Sequence, residues 1–505
     1  MRRIFPVLIF FGLLIGLSAC KKELPNTEKD PDKPEVVYVK EDTIKDSVFY
    51  YTKLLSLWQD FMPPRNVNDI TRDGTVRSYT KNYKTAENVL DWMLSLTPID
   101  PNTRKPIDRY SFLDRAGVIS GEIQGAVAKS FGMYIFYLDK ELHVKMVDLN
   151  SPAYHAGIRR GDKILSINGN SNLGYDANKG ENFKTINSYL LMNSMEIRFA
   201  KPTGAILEKQ MANVAYDLDP VMDSRVLNVD AKKVGYLAFS SFVSLQDKGL
   251  PTRMFQTFER IFSSFETEGI QELIVDMRYN GGGAVLTAEY LADRIAPASA
   301  DKSQMYYYEM NKVLTNDWEW TAEGDDFGPV YFAKKGSLNL SKVYFLVSKS
   351  TASASELLIN ALKPYMAVHM IGTYAGTPAA PLAENTYGKP VGFFGIQIVD
   401  KNIELYVSSF KTFNANKEGD YYNGMVPAYH VWEFSTFKDF GDPQETMTAA
   451  ALSHIKNGKY APLAERKAVA YRFGSTQTPT ANAAELSDNR NTNGMFKYPK
   501  NKSAK

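Results

Sequence analysis

From Lys233 the chain alternates between short apolar runs and stripes at helical spacing, and this alternation limits the fold more than any other feature. Val234 to Phe239 reads as a strand, and Met254, Phe255, Phe258, Ile261, Phe262 and Phe265 then mark one face of a helix. Glu272 to Asp276 reads as a buried strand, Gly281-Gly282-Gly283 as a turn, and Val285, Ala288, Leu291 and Ile295 as one side of a second helix. Val343 to Val347 is a continuous apolar strand, followed by a helix from Ala354 to Lys363 that Pro364 stops. Short buried strands alternating with amphipathic helices build an α/β core.

The flanking sequence divides into further parts. At 505 residues the chain is long enough for two to four domains. Val48, Tyr51, Leu55 and Trp58 recur at helical spacing. A second helix follows Thr85 as N-cap, with Val89, Trp92 and Met93 on one face and Pro98 as its stop. Residues 44–117 therefore read as a small helical domain, 118–201 as a separate module, and 202–456 as the α/β core. Asp442-Pro443 reads as N-cap and first residue of a terminal helix through Ile455. Residues 457–505 form a polar tail, with disorder expected from about Gly474 onward.

At the N-terminus Arg2-Arg3 precedes an apolar run from Ile4 to Leu17, too short for a comfortable membrane span. The run ends in Leu17-Ser18-Ala19-Cys20, which resembles the bacterial lipobox. That resemblance implies a signal peptide over residues 1–19, lipidation of Cys20, and a Lys-, Glu-, Asp- and Pro-rich tether over 20–43. Removing residues 1–19 takes away two arginines and no acid, so the balance of +2 falls to zero. Attachment would then rest on acyl chains, at ~0.8 kcal/mol per buried CH₂, rather than on a basic patch. The expectation is a membrane-anchored lipoprotein of the cell envelope, facing the periplasm.

Composition removes several function classes. The near-zero net charge gives no support to a nucleic-acid partner. Cys20 is the sole cysteine, so an intrachain disulfide and a cysteine-based zinc site are excluded. The five histidines are scattered without metal-ligand spacing, and no cofactor is expected.

Chemistry concentrates at Ser350-Thr351-Ala352-Ser353-Ala354-Ser355-Glu356, between a buried strand and a helix. A serine there sits at a helix N-terminus, whose unpartnered N–H groups stabilise an oxyanion. The same residues also suit a simple N-cap cluster. Thr351 to Glu356 resembles the nucleophile motif of the carboxy-terminal processing peptidases, also called tail-specific proteases. Thr386-Tyr387-Gly388-Lys389 resembles the segment that carries their general base. Asp276-Met277-Arg278-Tyr279-Asn280-Gly281-Gly282-Gly283 resembles their upstream loop. The resemblance implies Ser353 as nucleophile, Lys389 as base, and an oxyanion hole from the N–H of Ala354 with that of Gly282 or Gly283. It also implies an α/β spiral core related to crotonase and ClpP. Asp276 and Arg278 read as structural supports of the glycine loop.

A serine needs a base to become nucleophilic, and a lysine serves if burial keeps it neutral. Lys389 sits among Tyr387, Pro390, Val391, Phe393 and Phe394. Two features depart from the family pattern. Lys389 stands 36 positions after Ser353, a longer gap than usual, with extra sequence around Ala375 to Asn385. Where many members carry a Gln that orients the lysine, this chain has Phe393. Ser-x-x-Lys pairs also occur at Ser78/Lys81, Ser408/Lys411 and Ser435/Lys438, without the companion motifs of penicillin-recognising enzymes.

The run from Ser151 to Gly169, SPAYHAGIRRGDKILSING, resembles the second half of a bacterial PDZ domain. The resemblance implies a carboxylate-binding loop at Phe131-Gly132-Met133 and peptide capture as an added strand. His155 reads as helix surface or pocket rim. Together the motifs imply an envelope serine endopeptidase that cleaves proteins with free C-termini near those ends. The alternative is a catalytically inactive peptide- or ligand-binding lipoprotein on the same scaffold.

Overall fold

The computed structural model describes residues 40–125, 127–377, 380–400, 402–460 and 494–497. Cys20, the signal segment and all but the last residues of the tether lie outside that range. The first helix, Lys40–Leu55, begins within the tether's expected bounds.

Two seven-stranded sheets form the core. In the first, Lys232–Phe239, Glu272–Asp276, Lys342–Leu346, Ala367–Thr377 and Tyr429–Val431 pair in parallel, each with the next. Val221–Val229 adds antiparallel at one edge, and Ala380–Ala383 folds back on Ala367–Thr377. The parallel strands are joined by helices, including Arg253–Glu268, Val285–Ile295 and Ala354–Leu362. Arg253–Glu268 buries Met254, Phe258, Ile261, Phe262 and Phe265, and it ends at Gly269 in a left-handed conformation. Each such buried phenylalanine contributes ~1.5–3 kcal/mol. The alternation legible in sequence is therefore the real frame of this domain. The hairpin in which Tyr374 faces Ala383 and Ala375 faces Leu382 accounts for much of the added length between Ser353 and Lys389.

The second sheet runs in the order Gly282–Ala284, Gly494–Lys497, Val391–Gln397, Glu404–Asn414, Gln304–Met310 and Val330–Tyr331. Phe112–Asp114 also pairs with Glu404–Asn414. The polar C-terminal tail thus supplies a buried strand, Gly494–Lys497, where disorder was expected. Met495 and Phe496 are the apolar residues that pay its ordering entropy. The terminal helix also begins later than Asp442-Pro443 implies. It spans Thr446–Asn457 with Glu445 as N-cap, accepting from the Thr448 N–H. Glu445 is buried because Arg278 binds it, and that contact fixes where the helix starts.

The N-terminal helices Lys40–Leu55, Thr75–Thr80 and Ala86–Ser95 share one apolar core with the two large sheets. Thr85 caps the last of them through the Asn88 N–H.

The 118–201 module forms a five-stranded antiparallel sheet of Met133–Leu138, Glu141–Val147, Lys163–Ile167, Ser194–Ala200 and Ile206–Ala212, in that order. Its last strand continues the module to Ala212. It has its own core, including Tyr137, Val144, Ile158, Ile186 and Phe199. A ribbon of Val127–Ser130 paired with Val214–Asp217 leads into and out of it. Arg160 anchors it to the core. This guanidinium donates to the Lys438 carbonyl at 3.0 Å and the Tyr279 hydroxyl at 3.1 Å, and it packs on Phe437 and Phe440.

Candidate active site

Ser353 follows the strand Lys342–Leu346 and opens the helix Ala354–Leu362. Its φ of 61° and ψ of −105° lie where a non-glycine residue is strained, at a cost of ~1–3 kcal/mol. The surroundings hold that conformation. The Ser353 N–H donates to Glu356 Oε2 at 2.7 Å. The Ala352 N–H and the Ser355 hydroxyl both donate to the Asn280 carbonyl, at 3.1 and 3.0 Å. Thr351 Oγ1 donates to the Met277 carbonyl at 2.8 Å. The Ser353 hydroxyl donates to the Val391 carbonyl over a long 3.4 Å, two residues past Lys389. Ala354 is the first helical residue, so its N–H has no intrahelical acceptor and carries the positive end of the helix dipole.

Glu356 ties this turn to the lysine segment. Its carboxylate accepts from the Gly388 N–H and the Lys389 N–H, each at 2.9 Å, and from the Thr386 hydroxyl. Burial pushes the Glu356 carboxyl up, against these donors. The Tyr387 N–H adds a bond to the Thr351 carbonyl at 2.9 Å. Gly388 has φ +83°, and a Cβ there would stand 2.4 Å from the Tyr422 carbonyl oxygen, so the backbone passes only without a side chain.

Lys389 is buried, and burial brings its ammonium down to about 7, with Asp108 and Glu356 opposing the shift. Its Nζ lies 4.1 Å from the centre of the Phe393 ring and 5.3 Å from that of Tyr110. Phe393, which replaces the familiar Gln, therefore touches the amine through its π face. The Tyr110 hydroxyl fixes the same loop by donating to the Gly388 carbonyl at 2.9 Å.

The glycine loop is held by Asn280. Its side-chain oxygen accepts from the Gly282 N–H at 2.9 Å, and its amide donates to the Phe239 carbonyl at 3.1 Å. The Gly282 N–H is therefore engaged. The Gly282 carbonyl and the Ala284 N–H both bond Phe242, so strand alternation turns the amide of Gly283 to the opposite side. Of the two glycines, Gly283 is the one whose amide is turned away from Phe242, toward the strand Gly494–Lys497. Asp276 and Arg278 are structural. Arg278 is fully buried and forms paired bonds with Asp276 and Glu445, while the Tyr236 hydroxyl donates to Asp276 at 2.6 Å.

The chain is similar to known proteins. Residues 233–380 match the family model Peptidase family S41, and residues 143–177 match that of a PDZ domain. The carboxy-terminal processing protease CtpB of Bacillus subtilis is 24% identical over 60% of this chain and 61% of its own length. The carboxyl-terminal-processing protease of Synechocystis is 24% identical over 61% of this chain and 63% of its own. The chain thus spans somewhat under two thirds of the curated relatives it matches. The crystal structure of an S41 protease candidate from Bacteroides fragilis superposes with TM-score 0.58 at 22% identity, covering 86% of this chain and 99% of that one. The chain carries the peptidase S41 fold with a PDZ domain.

In the PDZ domain, Phe131 is buried in the module's core. The Gly132 N–H donates to the Ser130 hydroxyl at 3.0 Å, and the Gly132 carbonyl accepts from the Asp148 N–H at 2.9 Å. Met133 starts the edge strand Met133–Leu138. His155 is exposed at the end of the short helix Pro152–His155, away from the S41 core's candidate site.

Several residues of the S41 site went unremarked in sequence. Glu356 was legible as the Glu three residues after Ser353, the spacing of a capping box. Asn280 stood in the quoted loop without a role. Tyr110, Asp108 and Glu445 come from distant segments and carried no local signal.

Proposed function

We propose that this protein is a serine endopeptidase in which Ser353 is the nucleophile and Lys389 the general base. The observation that carries the reading is Glu356. One carboxylate binds the amide of Ser353 and the amide of a buried Lys389 whose ammonium is brought down to about 7. A lysine so placed is about half neutral near pH 7 and is matched to proton transfer at that pH.

In this reading neutral Lys389 takes the proton of the Ser353 hydroxyl, and the freed oxygen attacks the scissile carbonyl. The N–H groups of Ala354 and Gly283 receive the charge that develops on the carbonyl oxygen. The Lys389 ammonium then protonates the leaving amine, and water repeats the sequence on the acyl-enzyme. No cofactor enters.

Substrates are protein chains with free C-termini, held as an added strand along Met133–Leu138 with the carboxylate at Phe131–Met133. The protein is anchored through lipidated Cys20 in the cell envelope, facing the periplasm. The lipobox-like Leu17–Cys20 supports this, and Cys20→Ala should move the protein from the membrane fraction to the soluble one. The test of the activity is cleavage of an unfolded protein by the intact chain. Wild type should cleave, and Ser353→Ala and Lys389→Arg should not, with melting temperatures that show both variants folded. Undiminished cleavage by Ser353→Ala would place the nucleophile elsewhere.

A further inference from the structure

The cleft beside Gly283 holds an extended segment, and that segment belongs to this chain. Gly494–Lys497 runs parallel to Gly282–Ala284 on one side and to Val391–Gln397 on the other. Gly282, Gly283 and Ala284 pair with Gly494, Met495 and Phe496, and Phe393 and Phe394 pair with Phe496 and Lys497. The flanking strands come from the glycine loop and from the segment directly after Lys389. Without the insert they would face each other across a slot one strand wide, about 10 Å between backbones.

The carbonyl of Gly494 lies against the glycine loop. A Cβ on Gly282 would stand 2.2 Å from the Gly494 oxygen and 3.1 Å from the carbonyl oxygen of Ala352, the residue before Ser353. The amide of Gly283 is turned to that same side. An extended substrate that presents a carbonyl to Gly283 must pair with Gly282–Ala284, and that edge is already paired.

The side chains fill distinct subsites. Phe496 packs against the rings of Phe393 and Tyr406, with centroids 5.4 and 5.3 Å apart. Lys497 Nζ donates to the Tyr308 hydroxyl at 2.8 Å and lies 4.4 Å from the Tyr308 ring centre and 5.0 Å from that of Phe327. Gly494 needs its lack of a side chain, because a Cβ would meet the Phe393 ring at 2.8 Å and the Phe496 ring at 2.7 Å.

We propose that the slot between Gly282–Ala284 and Val391–Gln397 is a peptide-acceptor site, and that Gly494–Lys497 occupies it as a competitor built into the chain. Substrate enters by displacing this strand. The segments the slot takes best carry an aromatic residue followed by a lysine or arginine, as Phe496-Lys497 does. The inference rests on reading Ser353 and Gly283 as the reacting site.

The test uses the full-length chain. Met495→Asp with Phe496→Asp should expel the strand. A tethered competitor has an effective concentration on the order of mM, so KM for a short peptide should fall by about tenfold or more, with kcat unchanged. A free peptide of residues 491–499 should inhibit that variant competitively, and its Lys497→Glu version more weakly. An unchanged KM, or no inhibition by the peptide, would overturn the proposal. A measurement without destabilising substitutions guards against misfolding. In full-length Ser353→Ala, saturating unfolded substrate should speed hydrogen exchange at the amides of Met495–Lys497 and leave Glu272–Asp276 unchanged. Unaltered exchange at 495–497 would mean the strand is a fixed part of the sheet, and the proposal fails. If Ser353→Ala still cleaves, it is the assignment of the reacting site that fails instead.

Discussion

The surroundings of Ser353 and the edge strand of the PDZ domain are built in opposite ways. Around Ser353 the polar groups are tied into one buried framework. Glu356 joins the serine turn to the lysine segment, Asn280 joins the turn to the glycine loop, and Arg278 joins that loop to the terminal helix. At the PDZ domain the sheet ends with Met133–Leu138, which pairs with Glu141–Val147 on one side and, among the described residues, with no strand on the other. A site meant to stabilise a transition state gains from groups that need not move. A capture site gains from an open edge that accepts many sequences. Under the proposed function, selectivity for a chain end would fall to the PDZ domain and the geometry of bond breaking to the S41 core.

Substitutions at the two sites should separate these roles. Ser353→Ala has the largest expected effect, a loss of at least about 10³-fold in kcat, with unchanged binding of a tail peptide by the PDZ domain. Stopped-rate assays and peptide titration on the same variant check both halves. Parallel loss of binding would show that the regions are not separable. Glu356→Gln should lower kcat by about 10²-fold, since its amide group cannot accept from all the donors the carboxylate holds and the serine and lysine segments drift apart. KM should change little. Amidating the C-terminus of a substrate should weaken capture by ~1.5–3 kcal/mol, the worth of hydrogen bonds to a charged group, and calorimetry on free and amidated peptides reads it.

The smallest effect concerns stability. Burial holds Lys389 at about 7 in the folded chain, below its value in the unfolded chain, so the unfolded state binds more protons between those values. Stability from this residue is therefore lowest at and below pH 7 and recovers as pH rises toward the ordinary lysine range. Lys389→Met should raise the melting temperature at pH 6 and show a fading gain by pH 10. A gain independent of pH would mean that the amine is not held neutral by the fold.

Much of this molecule was legible in its sequence because local chemistry fixed it. Strand and helix periods placed the parallel sheet, and Ser353 and Lys389 stood in local motifs that resemble a known family. What sequence missed depends on pairing between distant segments. The tail strand Gly494–Lys497 has only four residues in polar surroundings, and its partners lie about a hundred or more positions away. Glu445 caps the terminal helix in place of Asp442 because Arg278, far upstream, draws its carboxylate inward. Phe393 occupies the usual Gln position, and only the fold shows its ring face against the lysine amine.

The most direct test of the Ser353–Lys389 assignment is kcat/KM against pH from 5 to 9, for the wild-type chain and Lys389→Arg. If neutral Lys389 is the base, wild-type activity rises with pH and is half-developed near pH 7, where burial holds the amine at about 7. Lys389→Arg, which cannot lose its proton at any usable pH, stays inactive throughout while remaining folded. A Lys389→Arg protein that cleaves with the wild-type profile would contradict the assignment.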